Sequence, residues 1–85
     1  MTIRILYFAR LRERLGLAEE WLALPADVGT VANLLDHLRA REGVWAESLG
    51  AGESLMTAVN QELARPQTPL ADGDEVAIFP PVTGG

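Results

Sequence analysis

Side chains able to do chemistry are few in this sequence, and they are scattered. His37 is the sole histidine and cysteine is absent, so the residue types that build transition-metal sites and thiolate nucleophiles are missing. His37 also falls off the helical stripe of Leu34, Leu35 and Leu38, and therefore reads as a solvated helix residue rather than a base or ligand. Asp72, Asp74 and Glu75 surround Gly73 and could in principle clamp a magnesium ion. Acids around a glycine are more commonly a turn, and no metal site is expected. Gly50-Ala51-Gly52-Glu53-Ser54-Leu55 resembles a dinucleotide fingerprint that lacks its third glycine and its strand-to-helix setting. Ser48 and Ser54 have no base near them in sequence. With no lysine anywhere, a phosphate-binding P-loop is excluded as well. One segment is left, Pro80-Pro81-Val82-Thr83-Gly84-Gly85.

Pro80 and Pro81 stop a strand and favour an extended path. Gly84 and Gly85 carry no Cβ, which makes the thinnest peptide possible, able to enter a channel that any side chain would block. Pro81 to Gly85 can reach at most roughly 16–18 Å from the body. Immobilising each residue costs on the order of 1–2 kcal/mol, so a partner that holds this tail needs a docking surface elsewhere on the folded part. The expected organisation is a domain over residues 1–79 and an extended tail over 80–85, with Gly85 as its working end.

Composition limits what the body can be. Eighty-five residues with 48% hydrophobic content make one domain with a single modest core. Twelve acids face seven bases, all of them arginine (positions 4, 10, 12, 14, 39, 41 and 65), for a net charge of −5. That balance argues against binding a nucleic-acid backbone, which needs a basic stripe. The local cluster Arg10, Arg12 and Arg14 reads as the solvated side of a short helix. No apolar run approaches a membrane span, and no basic region precedes an apolar signal core. A cytoplasmic protein with no nucleic-acid or membrane partner is expected.

The elements that must position the tail follow from periodicity. Thr2 to Phe8 reads as a strand, with Ile3, Ile5 and Tyr7 on one face and Thr2, Arg4, Leu6 and Phe8 on the other. The second face begins polar and becomes apolar, so it is not simply solvent. Ala9 to Leu15 is a short helix stopped by Gly16, and Glu20 to Leu24 a second strand ended by Pro25. Thr30 is a good N-cap for the principal helix, where Val31, Leu34, Leu35 and Leu38 form one apolar stripe and Gly43 is placed as its stop. Residues 44–55 read as irregular, with Trp45 and Leu49 pinning them to the core. Leu55 to Asn60 is a third strand, turning through Asn60-Gln61-Glu62 into a weak fourth around Leu63 and Ala64. The prolines between Arg65 and Pro69 bar central sheet there. Asp72-Gly73-Asp74 is a turn, and Glu75 to Phe79 a nearly all-apolar strand suited to neighbours on both sides. One main helix on one face of a mixed sheet makes an α+β fold.

Four stretches, "ILYFARLRERLG" at 5–16, "TVANLLDHL" at 30–38, "AVNQELA" at 58–64 and "PLADGDEVAIFPPVTGG" at 69–85, carry a resemblance over nearly the whole chain. The sequence resembles the small, sulfur-carrying subunits of molybdopterin synthase, ubiquitin-like β-grasp proteins. The last stretch is the most specific: a DGDEV turn, an apolar strand, Pro-Pro and Gly-Gly.

The resemblance implies a ubiquitin-like β-grasp of about five strands, one main helix and one short helix. It also implies a chemistry in which this chain is not catalytic alone. A free α-carboxylate is anionic at neutral pH and a poor acyl donor. An ATP-dependent partner would adenylate Gly85, and a persulfide-derived sulfur from a donor system would displace AMP to leave a thiocarboxylate. The tail, Pro80 to Gly84, would then enter a large synthase subunit, in an assembly implied to be a heterotetramer, and give sulfur to a cyclic pyranopterin monophosphate. No cofactor would be bound by this chain, ATP being used by the partner. Phe8 and Phe79 match positions where the family meets its partners and Leu63 lies in the matching segment, while strand phasing separately puts Phe8 opposite the Ile3, Ile5, Tyr7 face. Fold and tail leave the acceptor open between this pterin, thiamine thiazole and a thiolated tRNA. They also admit a ubiquitin-like modifier joined to other proteins through Gly85, or a plain binding domain with an incidental Gly-Gly.

Overall fold

Alternation in the first strand decides the architecture. In the computed structural model, which describes residues 1–50 and 54–81, β1 (Thr2–Tyr7) buries Ile3, Ile5 and Tyr7 to 1% exposure or less, as their period of two requires. The chain then forms α1 (Ala9–Leu15), β2 (Glu19–Ala23), α2 (Val31–Arg39), α3 (Val44–Ser48), β3 (Met56–Val59), β4 (Glu62–Leu63) and β5 (Glu75–Phe79). The five strands make one mixed sheet in the order β2-β1-β5-β3-β4. β5 lies parallel to β1 and antiparallel to β3, so the most apolar strand is central, as expected.

The helices cover one face only. Thr30 caps α2, its hydroxyl accepting from the Asn33 N–H at 3.2 Å, while Asn33 Oδ1 accepts from the Gly29 N–H at 3.3 Å. This reciprocal arrangement satisfies donors that a helix start otherwise leaves unpaired. Val31, Leu34 and Leu38 of α2 are buried with Ile3, Ile5, Tyr7, Val76 and Ile78 in one core. Leu11 joins it from α1, and Leu49 from just beyond α3, both as a single apolar face would demand.

Several boundaries differ from the sequence expectation, each for a visible reason. Phe8 is not the last residue of β1 but the extended N-cap of α1, and Leu24 lies beyond β2. Strand β3 is two residues shorter than expected and β4 begins one residue earlier, at Glu62, although the Ala64 N–H still bonds to the Thr57 carbonyl at 2.9 Å. The segment read as irregular contains a third helix, α3, of five residues. Gly43 does not close α2, which ends with Ala40 as its C-cap. Gly43 has φ 56° and stands at the N-cap of α3 instead. Gly16 does end α1 in the left-handed region, at φ 67°, its N–H bonded to the Arg12 carbonyl at 3.0 Å.

Two polar devices fasten the elements, one at the end of the sheet and one between helices. Around Gly73 (φ 85°) Asp72 Oδ1 accepts from the Thr2 N–H at 2.7 Å, and Asp74 Oδ2 from the Ala71 N–H at 2.8 Å. Asp74 Oδ1 also accepts from Asn60 Nδ2 at 3.0 Å, and Asn60 Oδ1 accepts from the Glu75 N–H at 3.1 Å. The turn therefore ties the start of β1, the start of β5 and the β3–β4 hairpin together. Away from the sheet, Arg39 Nε donates to the Leu49 carbonyl, fastening the exit of α3 to α2.

Candidate functional site

Strand register assigns the second face of the sheet residue by residue. Arg4 stands beside Trp21 and Glu75, Leu6 beside Glu19 and Ala77, Ala58 beside Ala77 and Leu63, and Met56 beside Phe79. Neighbours in register share a face, so Leu6, Ala77, Ala58 and Leu63 form an apolar row across four strands. Phe79 and Met56 lie next to that row at the C-terminal ends of β1 and β5, where Phe8 follows β1. This is the face opposite the core, and no helix lies among its paired residues. Phe8 is 44% exposed, Leu63 71%, and Phe79 half-buried. All three lie outside the buried core, and register brings Leu63 and Phe79 onto one continuous surface.

The polar beginning of that face now has an explanation. Arg4 Nε donates to Glu19 Oε2 at 3.1 Å and Arg4 NH1 approaches Glu75 Oε1 at 3.4 Å, a partly exposed network over the N-terminal half of the sheet. Beyond it lies Trp21, 65% exposed, which the sequence reading left unremarked within its strand. Its pairing with Arg4 puts it on the outer face, a position that alternation from the half-buried Leu22 could have signalled.

β5 delivers the tail at the rim of this face. Pro80 and Pro81 follow Phe79 and are half-buried. Val82, Thr83, Gly84 and Gly85 lie outside the described residues. Pro80 borders a recess with Arg10, Arg14, Ser48 and Ser54, so the chain at Pro80 lies beside the short helix. Arg10, Arg12 and Arg14 are exposed on that helix, as their reading as a solvated side expected. Residues 51–53 of the glycine-containing segment also lie outside the described residues.

The other residues singled out by type have structural work or stand apart. Asp72 and Asp74 hold turn N–H groups and Glu75 pairs with Arg4. His37 sits half-buried on α2, close to Asp27, Val28, Asn33 and Asp36, away from both the apolar face and the tail.

One cluster escaped the sequence reading. Tyr7 donates its hydroxyl to Glu20 Oε2 at 2.7 Å, and Arg41 grips both Glu20 oxygens at 2.9 Å each. The Arg41 guanidinium stacks 4.4 Å from the Trp45 ring centre, and Trp45 meets Tyr7 edge to face at 5.6 Å. Burial alone would raise the Glu20 carboxyl, but its hydrogen bonds from Arg41 and Tyr7 and the charge of Arg41 hold it below the ordinary carboxylate value. Burial first, then the bond to Glu20, pushes the Tyr7 phenol well above its usual range. The cluster staples β1, β2 and α3 together at the edge of the core. It is a clamp, remote from the apolar row.

Comparison with known proteins settles the family. The ThiS family profile matches residues 5–85. The chain belongs to the ThiS family. Among curated relatives, this ThiS-family chain is 48% identical over 83 residues to the molybdopterin synthase sulfur carrier subunit of Escherichia coli (strain K12), covering 98% of this chain and 99% of that one. Among solved structures it resembles small archaeal modifier protein 1 (SAMP1) from Haloferax volcanii, with TM-score 0.80, 30% identity and full coverage of both chains. A putative molybdopterin converting factor, subunit 1, from Pyrococcus furiosus matches with TM-score 0.76 and 31% identity over 96% of this chain and 99% of that one. The fold is the ubiquitin-like β-grasp expected from the resemblance, with α3 in addition to the two helices expected. Among the described residues, no helix is long and apolar enough to cross a membrane.

Proposed function

We propose that this ThiS-family chain is a sulfur carrier of molybdenum cofactor biosynthesis, the small sulfur-donating subunit of a molybdopterin synthase. The observation that carries the reading is the end-to-end match to the Escherichia coli sulfur carrier subunit, which leaves almost none of either chain unaligned. The apolar outer face supports it physically. A tail that must be immobilised in a partner needs binding energy gathered elsewhere, and Phe8 and Phe79 near the tail's root, with Leu63 at the edge of the same face, offer it.

In this reading the Gly85 carboxylate attacks the α-phosphorus of ATP on an adenylating partner, and pyrophosphate leaves. The terminal sulfur of a donor persulfide then attacks the Gly85 carbonyl carbon and expels AMP, and a second thiol of the donor system cleaves the resulting acyl disulfide, leaving the thiocarboxylate on Gly85 and a disulfide on the donor. Pro80, Pro81, Val82, Thr83 and Gly84 guide that group into the large subunit, the two kinds of chain forming a heterotetramer. There sulfur passes to cyclic pyranopterin monophosphate. This chain contributes the reacting terminus and the docking face. ATP, the general base and the pterin pocket belong to its partners, and the setting is cytoplasmic.

Intact mass of the protein after incubation with ATP, the adenylating enzyme and a sulfide source tests this. A rise equal to the replacement of one oxygen by sulfur at Gly85 is expected, together with dithiolene formation once the large subunit and pterin are added. A chain that stays at its parent mass refutes the carrier reading. The likeness to an archaeal modifier protein favours a second reading, in which Gly85 forms an isopeptide bond. Gly85-linked conjugates on proteins of a cell extract, with no thiocarboxylate formed, would establish that reading over the first.

A further inference from the structure

The two edges of the sheet are built differently. β4 has only two residues, and a turn closed by the Thr68 N–H on the Arg65 carbonyl follows it at once. β2, the other edge, has five residues and lies beside β1 alone. Its free backbone follows from the pairing. The Tyr7 N–H bonds to the Ala18 carbonyl at 2.8 Å and the Leu24 N–H to the Met1 carbonyl at 2.7 Å. Bonded and non-bonded residue pairs alternate along an antiparallel ladder. Thr2 with Ala23, Arg4 with Trp21 and Leu6 with Glu19 are therefore the non-bonded pairs. The N–H and C=O groups of Glu19, Trp21 and Ala23 point away from β1, and all three residues are exposed. Among the described residues, none offers these groups a hydrogen bond.

An open edge is normally blunted by unpaired charge, proline or a bulge. β2 contains no proline and pairs with β1 in unbroken register. Its two acids are both tied to arginines of this chain: Arg4 Nε donates to Glu19 Oε2 at 3.1 Å, and Arg41 holds both Glu20 oxygens. The strand therefore offers backbone outward, with Trp21 beside it at 65% exposure. Such an edge takes up another extended strand, and β2 fits a second β2 in one register. Antiparallel pairing centred on Trp21 sets Trp21 against Trp21, Glu19 against Ala23 and Glu20 against Leu22, so no acid faces an acid. Each outward pair exchanges two hydrogen bonds, and the two indoles meet as a cross-strand aromatic pair. Centring on Glu19 or Glu20 sets like charges opposite each other. Sliding the other way brings in Pro25, which has no N–H to give.

We propose that β2 is a self-pairing edge, through which two copies of this chain join about Trp21 into one continuous sheet. One five-residue edge per copy makes a small interface, of the weak class below about 1,200 Å². Each copy also carries a charge of −5. The dimer is therefore transient, and it strengthens with salt, which screens that repulsion. Pairing takes place in the plane of the sheet, and β1 stands between β2 and β5. The outer face and the end of β5 stay open in both copies. The dimer is independent of the carrier reading: a chain that takes up sulfur but is monomeric at every concentration refutes the pairing and leaves that reading intact.

The test is a dilution series of the full-length, isotopically labelled protein from about 1 mM to about 20 µM, a span suited to a weak interface, at low and at high salt. Concentration-dependent shifts of the Glu19, Trp21 and Ala23 amides are expected, larger at high salt, with sedimentation moving between monomer and dimer over the same range. Ala23→Pro removes an N–H that points away from β1, a change an edge strand tolerates. It is expected to weaken the dimer about tenfold, through one hydrogen bond lost from each copy, with melting unchanged. Trp21→Lys sets two like charges opposite each other at an exposed position and is expected to weaken it at least as much. A chain monomeric throughout, or variants that dimerise like the parent, overturn the pairing. Shifts centred on Phe8, Leu63 and Phe79 also overturn it and assign self-association to the outer face. So do β2 amides that shift only when the large synthase subunit is added, which assigns the edge to that partner. Trp21→Lys leaves the backbone ladder intact, so the test stays decisive even if Ala23→Pro disturbs β2.

Discussion

Along β1, Ile3, Ile5 and Tyr7 are at most 1% exposed, whereas Phe8, just past its end, is 44% exposed, and Leu63 on the far edge of the sheet is 71% exposed. Both faces of the sheet are therefore rich in apolar residues, but only one is closed by helices. On the inner face α1, α2 and Leu49 just beyond α3 complete a core of Ile, Leu and Val side chains with Tyr7. On the outer face Leu6, Ala77, Ala58 and Leu63 run across four strands with Phe79 and Met56 beside them. Contiguous apolar surface of this kind is a mark of association. The difference separates two jobs under the proposed function: the inner face holds the fold, and the outer face would meet a partner.

The most damaging change to that division should be a cavity on the inner side. Leu34→Ala, at a fully buried position of α2, is expected to cost about 2–5 kcal/mol of folding stability in denaturant unfolding. A loss below about 1 kcal/mol would show that this face does not carry the fold. On the outer side, Phe79→Ser is expected to weaken binding of the large synthase subunit by about 2 kcal/mol or more while melting changes little. Titration calorimetry and thermal melts read the two quantities. A large fall in stability with affinity preserved would return Phe79 to the core.

A smaller effect belongs to the clamp at the core's edge. Glu20 has its folded-state pKa lowered relative to the unfolded chain, so its contribution is complete above the unfolded value and disappears as pH falls through the folded one. Tyr7 behaves oppositely. Its raised pKa keeps the phenol neutral in the fold, and the stability so gained is present below the ordinary tyrosine value of 10.0 and is lost as pH climbs above it. Glu20→Gln is expected to cost about 1–2 kcal/mol at neutral pH and to flatten the acid limb of the stability profile. An acid limb unchanged by this substitution would remove Glu20 from the clamp. Least affected should be binding in Trp21→Ala. Trp21 shares the outer face but is separated from Phe79 by the Arg4, Glu19 and Glu75 charges, and a change under about 1 kcal/mol is expected. A loss matching that of Phe79→Ser would extend the docking surface across the whole sheet.

Much of this division can be read from local periodicity. The alternation of Ile3, Ile5 and Tyr7 marks the inner face before any contact is known, and the spacing of Val31, Leu34 and Leu38 marks the helix that covers it. Phe8 stands out for the complementary reason, as a large apolar residue on the wrong side of a strand. Features that depend on long-range contact are not legible in this way. Helix α3 has five residues, too few for a period to show, and Gly43 is an equally good stop for one helix or start for the next. The Tyr7, Glu20, Arg41 and Trp45 clamp joins residues 13 and 21 positions apart, which no local pattern encodes. Ser48 looks like any surface serine until α1, α3 and Pro80 close around it. The tail is legible only as chemistry: two prolines set its direction and two glycines its thickness.

The central claim is that docking is done by the body and sulfur transfer by Gly85. The most direct test deletes Gly85 and measures the rate of thiocarboxylate formation with ATP, the adenylating enzyme and sulfide. The deletion draws the reactive carbon back by about 3.5 Å, outside the tolerance of a bond-forming geometry, while leaving the core untouched. The account expects a variant that folds, melts and binds the large subunit like the parent yet takes up no sulfur. Uptake at a near-parental rate would contradict it.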